Sequence, residues 1–261
     1  MSATAYALGY KADELRTAHP NLLVATNCNG LVWACLSHEV SVAIPPMDIE
    51  GLRDRDLVCA HAFDVEGDFD QIALTLAEPV NAPLIRYRPR ASESLSFCNT
   101  RYIPTAYGFT ALNPDWPRPN PLGRFVGMQP ERTVQFRLPA IRVERIAAAG
   151  RWIVCVTFLT PKSGRNHTLQ TIVYSDIGAL SPQRPLISLM ARQMLSRHAH
   201  SIYTLISHAP PLSFEPLTLL GDPDMPAIWY FALKRELTRS AAALDGFLNP
   251  VPAGDICHRP H

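Results

Sequence analysis

Four closely spaced strand patterns between residues 133 and 174 constrain the fold more than any other feature of this sequence. Residues 133–138, 141–146, 152–160 and 166–174 each show apolar alternation or a continuous apolar run. Only a few residues separate neighbouring patterns, and connections this short join antiparallel strands. The sequence therefore predicts an antiparallel meander, with a turn at residues 161–164 before its last strand.

Proline content favours sheet and irregular loops over long helices. The chain has 24 Pro against 13 Gly, and the prolines are scattered along it, so many connections are stiff. Residues 113–121 form a proline-rich loop that we expect at the surface. Earlier in the chain, an Asn29-Gly30 step between apolar residues 22–26 and 31–36 predicts a hairpin.

Three stretches nevertheless have helical character. Asp68 is a candidate N-cap for a helix that Pro79 and Pro83 then break. Residues 185–206 predict a long helix, and residues 224–239 a last one. At helical spacing, the long helix offers a face to pack on the sheet, made of Leu186, Leu189, Met190, Gln193, Met194 and Arg197. The predicted class is α+β, an antiparallel sheet against C-terminal helices.

Composition excludes several classes of function. The formal net charge is +1. A net charge this small produces no strong positive potential to attract nucleic acid or anionic lipid. No apolar run approaches the roughly 18 residues of a membrane span, and the first ten residues lack a secretory signal. The six cysteines include no CxxC pair and are expected to be mostly buried, reduced thiols. We expect a soluble, cytoplasmic protein.

Several segments, in order, resemble the α subunits of Rieske-type non-haem iron ring-hydroxylating oxygenases. They are residues 8–20, 30–33, 158–161, 166–174 and 207–230. The resemblance covers nearly the whole chain and implies a helix-grip (START-like) fold, in which an antiparallel sheet curves around a long C-terminal helix and encloses an apolar cavity. It also implies that residues 1–36 are the end of a Rieske domain, 37–249 the catalytic-like domain and 250–261 a flexible tail.

The cluster motifs of that family are not reproduced. A Rieske centre needs Cys-x-His followed by Cys-x-x-His, because two thiolates hold one iron and two imidazoles the other. Here those spacings occur in reversed order, at Cys35 with His38 and at Cys59 with His61. A zinc site of these four residues is conceivable, but the apolar strand around Cys35 favours a buried thiol.

The mononuclear iron ligands of the family are also missing. They lie on a helix with the pattern Asp-x-x-His-x-x-x-x-His, completed by an Asp farther along the chain. The matching residues 76–90 contain neither His nor Asp. The ligand positions fall at Asn81 or Ala82, Leu84 or Ile85, and Pro89 or Arg90. The place of the third ligand, near residues 207–209, also lacks Asp. We therefore expect neither iron nor any other cofactor.

The same stretch supplies the candidate site. Glu78, Asn81, Arg86 and Tyr87 form a polar set that is predicted to replace the iron and orient a substrate. The alternative is an ion pair between Glu78 and Arg86 on a partly exposed helix. Candidate substrate contacts are Trp152, Tyr174 and His208. The alternatives are a core position for the two aromatic residues and a solvated one for the histidine.

Two classes of function remain open, and the sequence does not decide whether the protein is catalytic. One is a metal-free, non-redox cyclase or isomerase that acts on a hydrophobic small molecule of secondary metabolism. The other is a non-catalytic pseudo-subunit of an oxygenase, or a carrier of apolar ligands. An active oxygenase with unusual ligands is the third and least favoured reading. The expected partner is a hydrophobic small molecule, without nucleic acid or membrane. The sequence leaves a monomer, a homo-oligomer and an association with an oxygenase subunit open.

Overall fold

A computed structural model describes residues 3–7, 24–28, 31–35, 52, 56–79, 101–112, 131–148, 150–176, 181–208, 225–243 and 246–252. Its strands are β1 (Ala3–Ala7), β2 (Val24–Cys28), β3 (Leu31–Cys35), β4 (Leu57–Glu66), β5 (Arg101–Thr105), β6 (Gly108–Leu112), β7 (Glu131–Arg137), β8 (Ile141–Ala148), β9 (Arg151–Ser163) and β10 (Asn166–Ser175). The helices in these ranges are α1 (Phe69–Ala77), α2 (Arg184–His208) and α3 (Met225–Ala243).

The predicted meander is confirmed as the centre of a seven-stranded sheet. Its order is β4-β10-β9-β8-β7-β6-β5, with antiparallel pairing throughout. The turn predicted at 161–164 contains fewer residues than expected, because β9 continues through Pro161 to Ser163. Gly164, with a φ of 55°, then begins the turn. β9 tolerates the proline there because its pairing with β8 ends at Phe158.

A three-stranded sheet of order β1-β3-β2 lies earlier in the chain. The predicted hairpin is confirmed, since Cys28 pairs with Leu31 and only positions 29 and 30 join the two strands. β1 was not predicted, because its alternating Ala residues carry little apolar signal. All three strands fall within residues 1–36, although the division into a Rieske-domain remnant and a second domain remains a prediction.

α1 begins as expected and ends sooner than the resemblance implies. The Asp68 carboxylate accepts a hydrogen bond from the backbone N–H of Asp70 at 2.9 Å, which confirms the N-cap. Glu78 has left the helical region, with ψ at 118°, instead of continuing a helix over residues 76–90. The physical reason is Pro79, which disfavours helical backbone at the residue before it.

α2 occupies the predicted place but packs through another face. Ala191, Leu195, Ala199 and Ile202 are buried against the sheet and core. The face predicted to pack is instead exposed where its side chains are described, so that prediction was wrong. Periodicity alone did not choose between the faces, because both carry apolar residues, and the alanines of the buried face allow a closer approach.

The helices cover one face of the seven-stranded sheet and form the main core with it. Larger members of this cluster are Ile72, Leu76, Phe109, Phe136, Leu138, Leu169, Ile202, Trp229, Tyr230 and Leu233. The opposite face carries a second cluster of Ile141, Val143, Val154, Val156, Phe158, Ile172 and Tyr174. The predicted α+β class is thus confirmed, while an enclosed apolar cavity remains a prediction.

The chain after α3 returns to the β5–β6 hairpin. The Asn249 amide donates to the carbonyl oxygens of Thr105 and Gly108, at 2.5 and 2.8 Å. Val251, inside the predicted tail of 250–261, is buried against the main core, and residues beyond 252 lie outside the described part of the chain. No helix in the described ranges is long and apolar enough to cross a membrane.

Gly108 is expected to be irreplaceable at the start of β6. A Cβ at this position would lie 1.9 Å from the backbone carbonyl oxygen of Phe136 in β7, so the two strands would have to separate. We expect Gly108→Ala to lower the free energy of unfolding by about 2 kcal/mol or more, measured by urea denaturation. Gly246→Ala is the matched control, since its Cβ would meet nothing within 4 Å; equal losses for both variants would contradict this packing.

Candidate functional site

Three charged side chains lie on the helix-covered face of the sheet. Strand alternation places Arg132 of β7 on the same face as Arg142 and Glu144 of β8, because Arg132 pairs with Ile146 and Val134 with Glu144. Their exposed fractions are 2%, 1% and 0%. We call these three residues the arginine clamp. Charges buried this completely require partners in the protein.

The clamp is held together by its own ion pairs. Arg132 Nε donates to Glu144 Oε1 at 2.8 Å, and Arg142 Nη2 lies 3.7 Å from Glu144 Oε2. Glu144 therefore neutralises one of the two positive charges.

Other donors of the clamp bind the end of α1 and the residue that follows Glu78. Arg142 Nη1 donates to the carbonyl oxygen of Leu76 at 3.0 Å and to that of Glu78, while its Nη2 donates to that of Pro79 at 3.1 Å. Arg132 Nη2 donates to the same Pro79 oxygen at 2.6 Å. The last carbonyls of a helix lack partners within the helix and carry partial negative charge, so arginines satisfy both needs.

The charge of the Glu78 carboxylate affects a clamp residue and a nearby tyrosine. Burial lowers the pKa of Arg142, and the negative charge of Glu144 opposes that change. Burial also raises the pKa of Tyr102, and the charge of Glu78 raises it further. The Glu78 carboxylate thus acts on both Arg142 and Tyr102.

Chemically, the clamp is an anchor more than an acid–base pair. Most of its guanidinium nitrogens are engaged by backbone carbonyls or by Glu144, and no member is open to solvent. Two of its buried atoms, Arg142 Nε and Glu144 Oε2, have no hydrogen-bond partner. The arrangement fixes the point at which the chain leaves α1 toward residues 80–100.

Among the predicted site residues, the structure describes the side chains of Glu78, Trp152 and Tyr174, and these three do not lie together. Glu78 is the C-cap of α1, whereas Asn81, Arg86 and Tyr87 lie outside the described residues. His208 is the last residue of α2, and its side chain is likewise outside the description.

Trp152 and Tyr174 belong to the cluster on the opposite face of the sheet. The sheet therefore lies between them and Glu78, and their role in substrate contact remains a prediction.

Sequence reasoning missed the clamp, although a signal was present. Arg132, Val134 and Phe136 alternate along β7, and Arg142, Glu144 and Ile146 alternate along β8. In both strands the charged residues share their face with apolar residues that belong to the core. Charges on the apolar face of two adjacent strands indicate a buried ion-pair network.

The donors for a metal ion are not assembled in the described part of the chain. No group of three or more His, Cys, Asp or Glu could hold one there. Cys59 and His61 lie on β4, Cys35 belongs to the three-stranded sheet, and His38 is outside the description. Cys59 is a free, buried thiol, as is Cys155, and burial raises the pKa of both.

Comparisons with known proteins support the fold. No protein-family model and no curated protein matches the sequence. Among solved structures, the QL mutant of NdmA from Pseudomonas putida CBB5 with caffeine matches with a TM-score of 0.62 and 13% identity, over 90% of this chain and 68% of that chain. Apo dicamba monooxygenase matches with a TM-score of 0.57 and 10% identity, over 84% and 69% of the two chains.

Dicamba monooxygenase with non-heme iron and dicamba also matches, with a TM-score of 0.52 and 12% identity, over 84% of this chain and 69% of that chain. The chain therefore shares its architecture with an iron-containing monooxygenase, in agreement with the family that the sequence resembles. At these identities the likeness shows the fold alone. Residues 79–100, which continue from the clamp, contain no His and no Asp, and the loss of the family's iron ligands remains a prediction.

Glu144 is expected to be the most sensitive member of the clamp. In Glu144→Gln the two arginines stay buried and lose the carboxylate that pairs with both of them, which we expect to lower the free energy of unfolding by about 3–5 kcal/mol in urea denaturation. Asp64→Asn is the control, because it breaks an ion pair with Lys162 whose side chains are 66% and 52% exposed, and its midpoint should hardly move. If Glu144→Gln left the urea midpoint unchanged, the clamp charges would not be buried as described.

Proposed function

We propose that this chain is a metal-free, non-redox protein that binds an apolar small molecule between the sheet and the helices of an oxygenase-type scaffold. The observation that carries the proposal is the anchored end of α1. The clamp holds the carbonyl oxygens of Leu76, Glu78 and Pro79, and the chain that continues from them has no His or Asp up to residue 100. We infer that this anchored end borders the ligand site and that the site has no set of iron ligands.

The size of the ligand is suggested by the structural neighbours. Their structures hold caffeine or dicamba, which are small ring compounds. A molecule of this class would fit a layer lined by aliphatic and aromatic side chains, where a few polar groups fix its orientation.

As an enzyme, the protein would be a cytoplasmic cyclase or isomerase of secondary metabolism. Confinement of a flexible substrate in a reactive conformation lowers the barrier without a metal. Glu78 would stabilise developing positive charge or accept a proton, and Arg86 would stabilise developing negative charge. Asn81 and Tyr87 would donate hydrogen bonds that orient the substrate, and His208 would contact it from the end of α2.

A second candidate is a non-catalytic pseudo-subunit of an oxygenase, or a carrier of apolar ligands. The observation that favours association is the exposed apolar side of α2, where Leu186 is 60% and Leu189 is 66% exposed. Both candidates use the same scaffold and differ in whether bound molecules are turned over.

The test combines metal analysis with two fluorescent probes on protein purified without chelator. We expect iron and zinc far below one ion per chain and no visible absorption band. We expect one saturable site for neutral N-phenyl-1-naphthylamine, unchanged by EDTA. Stoichiometric iron, or no saturable binding, would overturn the proposal.

The role of Arg86 is tested with an anionic probe. Arg86→Ala should weaken 8-anilinonaphthalene-1-sulfonate about tenfold, equivalent to about 1.4 kcal/mol, and leave the neutral probe unchanged, because only the anion gains from the guanidinium. Arg235→Ala on the exposed side of α3 is the matched control, with neither affinity changed. If Arg86→Ala left both affinities unchanged, Arg86 would lie outside the site.

A further inference from the structure

A short segment after α3 lies against the β5–β6 turn. We call residues 246–252 the strap. Its Asn249 amide donates to the carbonyl oxygens of Thr105 and Gly108, at 2.5 and 2.8 Å, and the amide oxygen accepts from the backbone N–H of Val251 at 2.8 Å. One side chain thus fixes the strap to the turn and also sets the backbone of the strap itself.

Two further contacts hold the first half of the strap. The Phe247 ring stacks on Tyr107 of the turn, with ring centroids 5.0 Å apart and planes inclined at 27°. The backbone N–H of Leu248 donates to the Glu236 carboxylate of α3. The strap is therefore attached mainly through hydrogen bonds and one ring contact.

Little apolar surface holds the strap in place. Val251 alone among its residues is buried, at 4% exposure, whereas Leu248 is 73% exposed. Segments with few buried apolar contacts open at a lower free energy than the whole fold. Pro250 and Pro252 stiffen the backbone, so the strap opens as one piece and leaves the sheet intact.

The strap covers core residues beside Glu78. Val251 belongs to the main core together with Phe109 and Trp229. Tyr102 is partly buried against this core and meets Trp229 with ring centroids 4.8 Å apart, and the Glu78 charge acts on Tyr102. Opening of the strap would uncover the end of the sheet–helix layer at which Glu78 lies.

The other edge of this layer is closed more firmly. α2, a helix of 25 residues, packs on the edge strand β4 through buried side chains that include Ala191 and Leu195. Its displacement would expose far more apolar surface than the release of Val251. Of these two edges, the one at β5 and β6 therefore opens at the lower free energy.

We propose that the strap is the gate through which a small molecule enters the layer between sheet and helices, and that Asn249 is its latch. The proposal rests on the small-molecule site proposed above and adds the route of entry. When the Asn249 amide releases the turn, Val251 leaves the core and the aromatic edge at Tyr102 and Trp229 becomes accessible. Closure returns Val251 to the core and excludes water from the bound molecule.

The test measures the association and dissociation rate constants of N-phenyl-1-naphthylamine by stopped-flow fluorescence. Asn249→Ala should raise both about fivefold, the effect expected for one lost hydrogen bond, because the open strap becomes more populated. The dissociation constant should stay unchanged, since opening admits and releases the probe alike. Leu248→Ala, an exposed change within the same strap, is the matched control and should alter neither rate constant.

Hydrogen exchange without the probe follows the strap directly. In Asn249→Ala the backbone N–H of Leu248 should exchange about fivefold faster. The backbone N–H of Leu159, which donates to the Ala140 carbonyl oxygen in the core, should exchange at an unchanged rate. Equally faster exchange at both positions would mean that the variant loosens the whole fold, and would overturn the gate.

Other outcomes separate this proposal from the small-molecule site. Probe binding with unchanged rate constants in Asn249→Ala, or an equal effect of Leu248→Ala, would overturn the gate and leave the site standing. A higher dissociation constant with an unchanged association rate constant would also overturn the gate, because it would make Asn249 part of the wall of the site. No saturable binding to the native protein would overturn the small-molecule site, and the gate with it.

Discussion

Two arginine charges are buried where a helix ends, and the arrangement of the interior depends on how they are neutralised. Desolvation makes a buried guanidinium costly unless its donors are used and its charge is balanced. Glu144 supplies one negative charge, and the carbonyls of Leu76, Glu78 and Pro79 supply acceptors at the negative end of a helix dipole. Strands β7 and β8 and helix α1 are thereby fixed to one another through directional bonds in addition to apolar packing.

The central sheet could be predicted from the sequence because its evidence is local. Alternation and short connections specify antiparallel neighbours, and the structure has the four predicted strands in that order. The face of α2 could not be predicted in the same way. Both sides of that helix carry apolar residues at helical spacing, and only the shape of the sheet decides that Ala191 and Ala199 pack inward. Tertiary packing thus overrides the larger apolar pattern.

The candidate site was predicted in part. Glu78 was identified and lies beside the clamp, whereas Arg132, Arg142 and Glu144 were overlooked because charged residues within strands suggest solvent. These residues alternate along β7 and β8 in step with buried apolar residues, which indicates that they face the core. Arg142 reaches a helix 66 residues earlier in the chain, and that long-range contact is invisible to local patterns.

The return of the chain after α3 affects the order in which the molecule is completed during synthesis. Asn249 bonds to backbone carbonyls of the β5–β6 turn that precede it by 144 and 141 residues. Domains assemble as the chain emerges, and contacts of such long sequence separation form late. The outer edge of the sheet is therefore left without this tether until residue 249 has left the ribosome, so β5 and β6 are open to mispairing on the nascent chain during that interval.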